Sequence, residues 1–240
     1  ERFVRVETDR LDKLINLVGE LVISRTQVLE MTAHLNNDGK SGVVQLDRVT
    51  TELQYAAMSL RMVPIRQVFD RFPRMIRDLA QAKGKAIELQ ISGQDTELDR
   101  SIVNELGEPL VHLLRNAVDH GIESPEERKV AGKSDIGQIK IGARHEGSHI
   151  VIEISDDGRG IDVATVREKA TTKGLLDPEL TLTDNEILAY IFEPGFSTSD
   201  NVTDISGRGV GMDAVQAAIH SLNGSVELET KPGEGTQVIT

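Results

Sequence analysis

Apolar residues recur at helical spacing from the start of the chain: Leu11, Leu14, Ile15, Val18, Leu21, Val22, Val28 and Leu29, with Asp12, Lys13, Glu20 and Arg25 between them. This spacing predicts one long helix over residues 9–35. Asn36-Asn37-Asp38-Gly39-Lys40-Ser41-Gly42 reads as a turn, and a second helix follows with Leu46, Val49, Leu53, Ala56, Ala57 and Leu60 on one face. That helix should weaken near Pro64, because proline lacks an N–H and disfavours helical backbone at the residue before it. Two antiparallel helices of this length cannot bury both apolar stripes against each other alone. A second copy would complete the core as a four-helix bundle across a two-fold axis; a hairpin lying on its own globular domain is the other solution. Residues 1–61 are therefore expected to be a dimerisation domain, and 62–240 a second domain.

Beyond residue 62 the pattern is mixed. Residues 65–83 read as helical with an interruption at Pro73, and 86–92 alternate as a strand does. Residues 98–120 form a long helical stretch. Residues 138–145 and 149–155 alternate around Glu146-Gly147-Ser148 as a hairpin, with Ile139, Ile141 and Ala143 facing the same core as Ile150, Ile152 and Ile154. Two short helical patterns and long polar stretches occupy 162–206, and 212–223 is helical. Residues 225–230 and 236–240 make another hairpin around Pro232-Gly233-Glu234-Gly235. Helices on one face of a mixed sheet give an α+β two-layer sandwich.

Composition narrows the partners. Of the 240 residues, 38% are hydrophobic and 28% charged, too apolar for a disordered chain. The formal net charge is −12 and no dense Lys/Arg cluster stands out, so nucleic acid is not an expected partner. There is no cysteine, which excludes a disulfide framework and a thiolate metal site and suits a cytoplasmic setting. No apolar run approaches the roughly 20 residues that span a bilayer, so direct membrane insertion is not expected. The chain opens at Glu1 without an initiator Met and stops inside a strand pattern at Thr240, so it reads as an excised piece of a longer protein.

Three polar clusters carry candidate chemistry. His112, Asn116, Asp119 and His120 lie four, then three or four apart, so they share one helical face opposite Leu113, Leu114, Ala117 and Val118. An amide oxygen suits magnesium, and imidazoles beside it can donate to phosphate oxygens; an ordinary amphipathic helix would look the same. Asp156-Asp157-Gly158-Arg159-Gly160 follows the apolar run 150–154. A buried carboxylate at a strand end can accept from an exocyclic amine such as adenine N6, with glycines letting a ring approach the backbone. A plain Asp-Gly turn is the competing reading. Gly207-Arg208-Gly209-Val210-Gly211 opens a helix, where bare N–H groups and the dipole favour an anion. Its G-x-G-x-G spacing, with no predicted strand before it, is not a Rossmann fingerprint, and the P-loop pattern is absent from the sequence. Gly233-Glu234-Gly235-Thr236 reads by default as a hairpin turn.

Taken in order, the His/Asn helix, Asp-x-Gly-x-Gly, Phe192 with Phe196, Gly-x-Gly-x-Gly and Gly-x-Gly-Thr resemble the successive boxes of histidine kinases. Those kinases share the ATP-binding sandwich of gyrase, heat-shock chaperone and mismatch-repair ATPases. Leu114-Arg115-Asn116-Ala117-Val118-Asp119-His120-Gly121-Ile122-Glu123, Pro194-Gly195-Phe196-Ser197-Thr198, Ser206-Gly207-Arg208-Gly209-Val210-Gly211-Met212-Asp213 and Leu14-Ile15-Asn16-Leu17-Val18-Gly19-Glu20-Leu21-Val22 are similar to the CheA chemotaxis kinases in particular. The resemblance spans essentially the whole chain. It implies that Asn116 holds magnesium, and that His112 and His120, with Asp119 beside them, face the triphosphate of ATP. It also implies that Asp156 binds adenine in a pocket shaped by Gly158 and Gly160. Gly207, Gly209 and Gly211 would line the phosphates, Phe192 and Phe196 would help close a lid, and Thr236 would sit near the adenine end. In that family a phosphoacceptor domain precedes this region, and a domain coupling to receptor and coupling protein follows it; neither reads as present here.

Three activities fit such a site: a kinase, an ATP-hydrolysing clamp and a nucleotide-binding scaffold without chemistry. The clamps of this fold resemble E-x-x-x-N, and His112 stands where their water-activating glutamate would be. Histidine is a less obvious base for water, so transfer to a positioned acceptor is favoured; Glu108, a further turn back, reads as a structural helix residue. Every box being intact speaks against a scaffold. The expectation is a dimeric protein-histidine kinase that uses ATP and Mg2+ to phosphorylate a separate histidine-phosphotransfer domain. Residues 9–33 contain no histidine, and His34, beside the 36–39 turn, reads as solvated rather than as an acceptor. The polar stretch 162–206 is expected to behave as a lid ordered by its ligand.

Overall fold

The N-terminal unit, Glu1–Val63, is built on helices α1 (Thr8–Thr32) and α2 (Asn37–Ser59). The computed structural model describes residues 6, 8–32, 37–196 and 211–240. The expected turn over 36–42 is largely absorbed into α2, whose backbone is helical from Asn37. Short polar residues and glycine cost least in a first helical turn, because the N–H groups there have no intrahelical partner to lose. The two helices run antiparallel. Arg25 donates to Thr51 Oγ1 (3.0 Å) and pairs with Asp47 (3.3 Å), while Arg61 at the other end pairs with Asp12 (3.7 Å). Val18 and Ala57 are buried between them, but Leu14, Leu21, Leu46, Val49 and Leu53 remain exposed within the single chain. The predicted apolar stripes are therefore only partly covered by the hairpin itself.

The second unit, Pro64–Thr240, is an α+β sandwich. Its sheet contains β1 (Ile87–Ser92), β2 (Gly137–Glu146), β3 (His149–Asp156), β4 (Glu227–Lys231) and β5 (Gly235–Ile239), in the order β1-β2-β3-β5-β4. β1 runs parallel to β2, and the other pairs are antiparallel. The β2–β3 register places Ile141 opposite Ile154 and Ala143 opposite Ile152. Ile139, Ile141, Ala143, Ile152 and Ile154 are buried, whereas Lys140 and Arg144 on the opposite face of β2 are exposed. Ile150, near the hairpin end, is only half-buried.

Helices cover the apolar face. α3 (Phe72–Ala82) buries Phe72, Ile76 and Ala80, and α4 (Arg100–Asn116) buries Val103, Leu106, Leu110, Leu113 and Leu114. The expected interruption falls just before Pro73: a short helix, Arg66–Phe69, ends at Asp70, and Pro73 sits in the first turn of α3, where its missing N–H has no partner to lose. Helix α4 is capped by Asp99, which accepts from the Ser101 N–H at 2.8 Å. It does not end as an α-helix. Residues Ala117–Gly121 form a π turn closed by the Ile122 N–H on the Ala117 carbonyl (2.8 Å). After α5 (Pro125–Val130), α6 (Val163–Thr172) and α7 (Asp184–Ala189) gather a second small core of Val166, Ala170, Leu176, Ile187, Leu188 and Phe196. Helix α8 (Met212–Ser221) packs on α4 through Val215 and Ile219.

Candidate functional site

Asp156 ends β3, with Ile139 of β2 on one side and Thr236 of β5 on the other. Its Oδ1 accepts from the Gly158 N–H at 2.9 Å. The π turn delivers Gly121 against this carboxylate: a methyl group there would stand 2.9 Å from both oxygens. A methyl at Gly158 would overlap the Gly121 carbonyl, so the two bare α-carbons are what let the turn and the strand end meet. Burial pushes Asp156 up from an ordinary 3.8 to about 6, against the opposing pull of hydrogen bonds from the Gly158 and Thr236 backbone. At neutral pH the group is a mostly ionised, desolvated carboxylate, a strong acceptor for an N–H donor brought by a ligand. Gly160 packs on the Lys231 carbonyl, and the Gly233 N–H bonds the Arg159 carbonyl at 2.7 Å, so the 232–235 turn closes over the 156–160 loop. The Thr236 hydroxyl lies 3.1 Å from the Thr230 hydroxyl.

The last turns of α4 bring the other polar residues together in two groups. Asn116 donates from Nδ2 to Met212 Sδ at 3.1 Å, which joins it to the first residue of α8; Gly211 caps that helix in extended backbone. Asp213, two residues on, is the charge on α8 that His112 senses. Asp119 faces elsewhere: it pairs with Lys83 Nζ at 3.1 Å, while Lys85 Nζ donates to the Val118 and Asp119 carbonyls at 2.7 and 3.1 Å. Lys85 thus satisfies carbonyls near the helix end, where intrahelical partners run out. Burial holds both His112 and His120 below the usual histidine range, so each is a neutral imidazole at neutral pH, donor at one nitrogen and acceptor at the other. Among the described residues no group of three or more His, Asp or Glu forms a cage that would hold a metal ion by itself.

Phe192 and Phe196 are both buried, Phe196 within the α6–α7 core at 1% exposure. Lys173 fastens the turn before it, donating to the Gly195 carbonyl at 2.7 Å with its ammonium 5.8 Å from the Phe196 ring centre. Gly207, Gly209, His34 and the last part, 197–206, of the expected lid 162–206 lie outside the described residues, while 162–196 hold α6 and α7. Glu108 is exposed on α4, as are His145, His149 and His220 on their elements. Sequence reading did not single out Gly121, Lys83, Lys85 or Met212 as site residues. Gly121 and Met212 lie within motifs that carry the resemblance, and the Lys83-Gly84-Lys85 turn leaves a local trace, but nothing local links that turn to residue 119. An open polar hollow of about 570 Å³ bordered by Ser92, Gln94, Asp95 and His145 lies toward the other end of the sheet and contains none of the candidate residues.

Comparison with known proteins gives two matches to family models. Residues 105–240 match the family described as histidine kinase-, DNA gyrase B- and HSP90-like ATPase. Residues 1–60 match the homodimeric domain of signal-transducing histidine kinases. Among similar curated proteins, the sensor histidine kinase CheAY of Helicobacter pylori is 46% identical over 247 residues, covering 98% of this chain and 31% of the relative. The chemotaxis protein CheA of Bacillus subtilis is 46% identical over 236 residues (97% and 35%), and that of Salmonella typhimurium 45% over 239 (98% and 36%). The chain thus spans about a third of the length of these relatives.

Proposed function

The chain belongs to the histidine kinase-, DNA gyrase B- and HSP90-like ATPase family, in its CheA-type branch, and from this premise we propose that it is the core of a chemotaxis-type histidine kinase. It binds ATP and passes the γ-phosphate to a histidine on a separate phosphotransfer domain. The observation that carries the reading is the half-buried Asp156 carboxylate closed in by Gly121 and Gly158. It is a site for the adenine amine, and the π turn that carries Gly121 to it begins directly after Asn116, the last residue of α4, whose amide meets Met212 at the start of α8. His112, His120 and the N-terminal end of α8 at Gly211 serve the phosphates, where neutral imidazoles and the helix dipole favour an anion. Gly207 and Gly209 would extend that phosphate loop, and the segment around Phe196 would act as its lid. The protein works in the cytoplasm in this reading; no helix among the described residues is long and apolar enough to cross a membrane.

The donor set fits magnesium. An amide oxygen, with no carboxylate cage among the described residues, suits an ion that arrives on the nucleotide and keeps most of its waters. Asn116 would hold it, with the amide's orientation set by the bond from Nδ2 to Met212. Magnesium bound there supplies charge neutralisation on the phosphates. The protein's share is then alignment and electrostatics rather than a general base. This favours a kinase over a hydrolysing clamp. His112 stands one turn before Asn116, and the nearest carboxylate further back, Glu108, is turned to solvent. The decisive experiment supplies labelled ATP and a separately made histidine-phosphotransfer domain. Label is expected on that domain. Release of phosphate to water at the same rate with and without it would indicate a clamp, and ATP binding with neither outcome a scaffold.

The exposed leucines and valine of α1 and α2 are assigned to a second copy, as a four-helix bundle. Removing residues 1–63 is expected to leave a folded, ATP-binding monomer in sedimentation equilibrium. A truncated protein that still sediments as a dimer would assign dimerisation to the catalytic unit.

A further inference from the structure

Beneath the 156–160 loop lies an ionic network that the proposed reaction does not itself use. Arg128 on α5 is 1% exposed, and its guanidinium spans the Asp157 carboxylate: Nη1 donates to Oδ1 at 3.1 Å and Nη2 to Oδ2 at 2.8 Å. Nη1 also reaches Glu123 Oε2 (3.1 Å), and Nε donates to the Ser134 carbonyl (2.6 Å). Lys133 completes the set, donating from Nζ to Glu123 Oε1 (2.8 Å) and to the carbonyls of Asp157 (2.9 Å) and Gly158 (2.7 Å). Helix α5 is itself fixed by a capping box between Ser124 and Glu127.

The direction of these bonds matters more than their number. The Asp157 carbonyl and the Gly158 N–H belong to one planar trans peptide, so they point in opposite directions and cannot be turned separately. Lys133 at 2.9 Å and Arg128 at 3.3 Å hold that carbonyl from one side. The N–H on the other side is thereby aimed at Asp156 Oδ1, at 2.9 Å. Asp157 is locked a second time, its Oδ1 accepting from the Gln138 N–H of β2 at 2.8 Å. One oxygen of Asp156 is thus committed to the loop, and this bond, together with the Thr236 backbone hydrogen bond, fixes the aim of the carboxylate.

We propose that Arg128 and Lys133 are positioning residues for base recognition, which through the Asp157–Gly158 peptide set the direction in which Asp156 presents its carboxylate to the nucleotide's exocyclic amine. The proposal rests on the reading of Asp156 as the base-binding residue. ATP carries an amine at the recognised position and GTP a carbonyl, so the ratio of the two affinities reads the carboxylate's aim. A merely structural role would weaken both nucleotides by the same factor and leave the ratio unchanged.

The test uses the whole chain, wild type, Lys133→Met and Arg128→Lys, with ATP and GTP affinities by calorimetry and a thermal melt of each variant. Lys133→Met removes both carbonyl contacts at a partly exposed position. Arg128→Lys keeps the charge but loses the two-pronged grip on Asp157. Both are expected to melt cooperatively and to lower the ATP-to-GTP preference about tenfold or more, the scale of one lost charge-assisted hydrogen bond. Wild-type preference retained in folded Lys133→Met overturns the positioning role alone. Equal binding of ATP and GTP by the wild type removes the reading of Asp156 and the proposal with it. Loss of the cooperative melt in both variants also overturns the proposal, making the network a folding element.

Discussion

Asp156→Asn is expected to weaken ATP and ADP alike by about tenfold or more while making the folded chain more stable near pH 8. The binding loss follows from removing a charged acceptor, which costs roughly 1.5–3 kcal/mol per hydrogen bond. The gain in stability follows from the titration. Burial raises Asp156 from 3.8 to about 6, so the folded chain holds this proton more tightly than the unfolded chain does. Below 3.8 the group is protonated in both states and carries no penalty. Stability drains as pH rises through the window from 3.8 to about 6, and above it the whole cost of a desolvated carboxylate is present. That cost is on the order of 3 kcal/mol by linkage, reduced by whatever the asparagine amide fails to satisfy. Melts of wild type and variant near pH 5 and pH 8 should therefore diverge as pH rises. A variant less stable than wild type at the higher pH would mean that Asp156 is not a strained, desolvated carboxylate. A tenfold loss for ATP but none for ADP would move Asp156 away from the base.

Asn116→Ala is expected to abolish phosphate transfer to a separate phosphotransfer domain, by about a hundredfold or more, while leaving magnesium-free nucleotide binding nearly intact. The magnitude is that of removing one contact made to the charge in transfer, roughly 3 kcal/mol. The separation of effects follows from the geometry. Asn116 meets α8 through Met212, on the far side of the π turn from the Asp156 carboxylate, and the base site keeps its own partners when the amide is lost. Calorimetry with and without magnesium, alongside labelled transfer, measures both halves. Equal losses of binding under the two conditions would remove Asn116 as the ion's ligand. Without the phosphotransfer domain, the wild-type chain is expected to take up essentially no acid-labile phosphate. Robust self-labelling lost on His34→Gln would make the chain its own acceptor.

Much of this architecture follows from local pattern. The alternation over 138–145 and 149–155 identifies both central strands and their buried faces, because a side chain in a strand can reach only one of two sides. The three- and four-residue spacing over 9–35 and 98–120 does the same for α1 and α4. Asp156 is legible as a polar group where the apolar run 150–154 stops, and Asn116 as part of a polar helical face opposite Leu113, Leu114, Ala117 and Val118. Local pattern misled where a residue's cost depends on its place in the element. The glycines after Asn36 read as a turn and lie in the first turns of α2.

What no local pattern determines is which distant groups meet. Periodicity continues a helix over 98–120, but the backbone widens into a π turn at Ala117, and only that turn sets Gly121 against a carboxylate 35 positions later in sequence. The same applies to Lys83 with Asp119, to Asn116 with Met212, and to Arg128 with Asp157. In the two ion pairs either member alone reads as an ordinary solvated residue, and Met212 alone reads as an ordinary apolar helix residue. Hydrophobic burial is written along the chain because it concerns one residue and a face. The aim of a carboxylate belongs to several chain segments at once, and it exists only after the sheet has closed and brought them into contact.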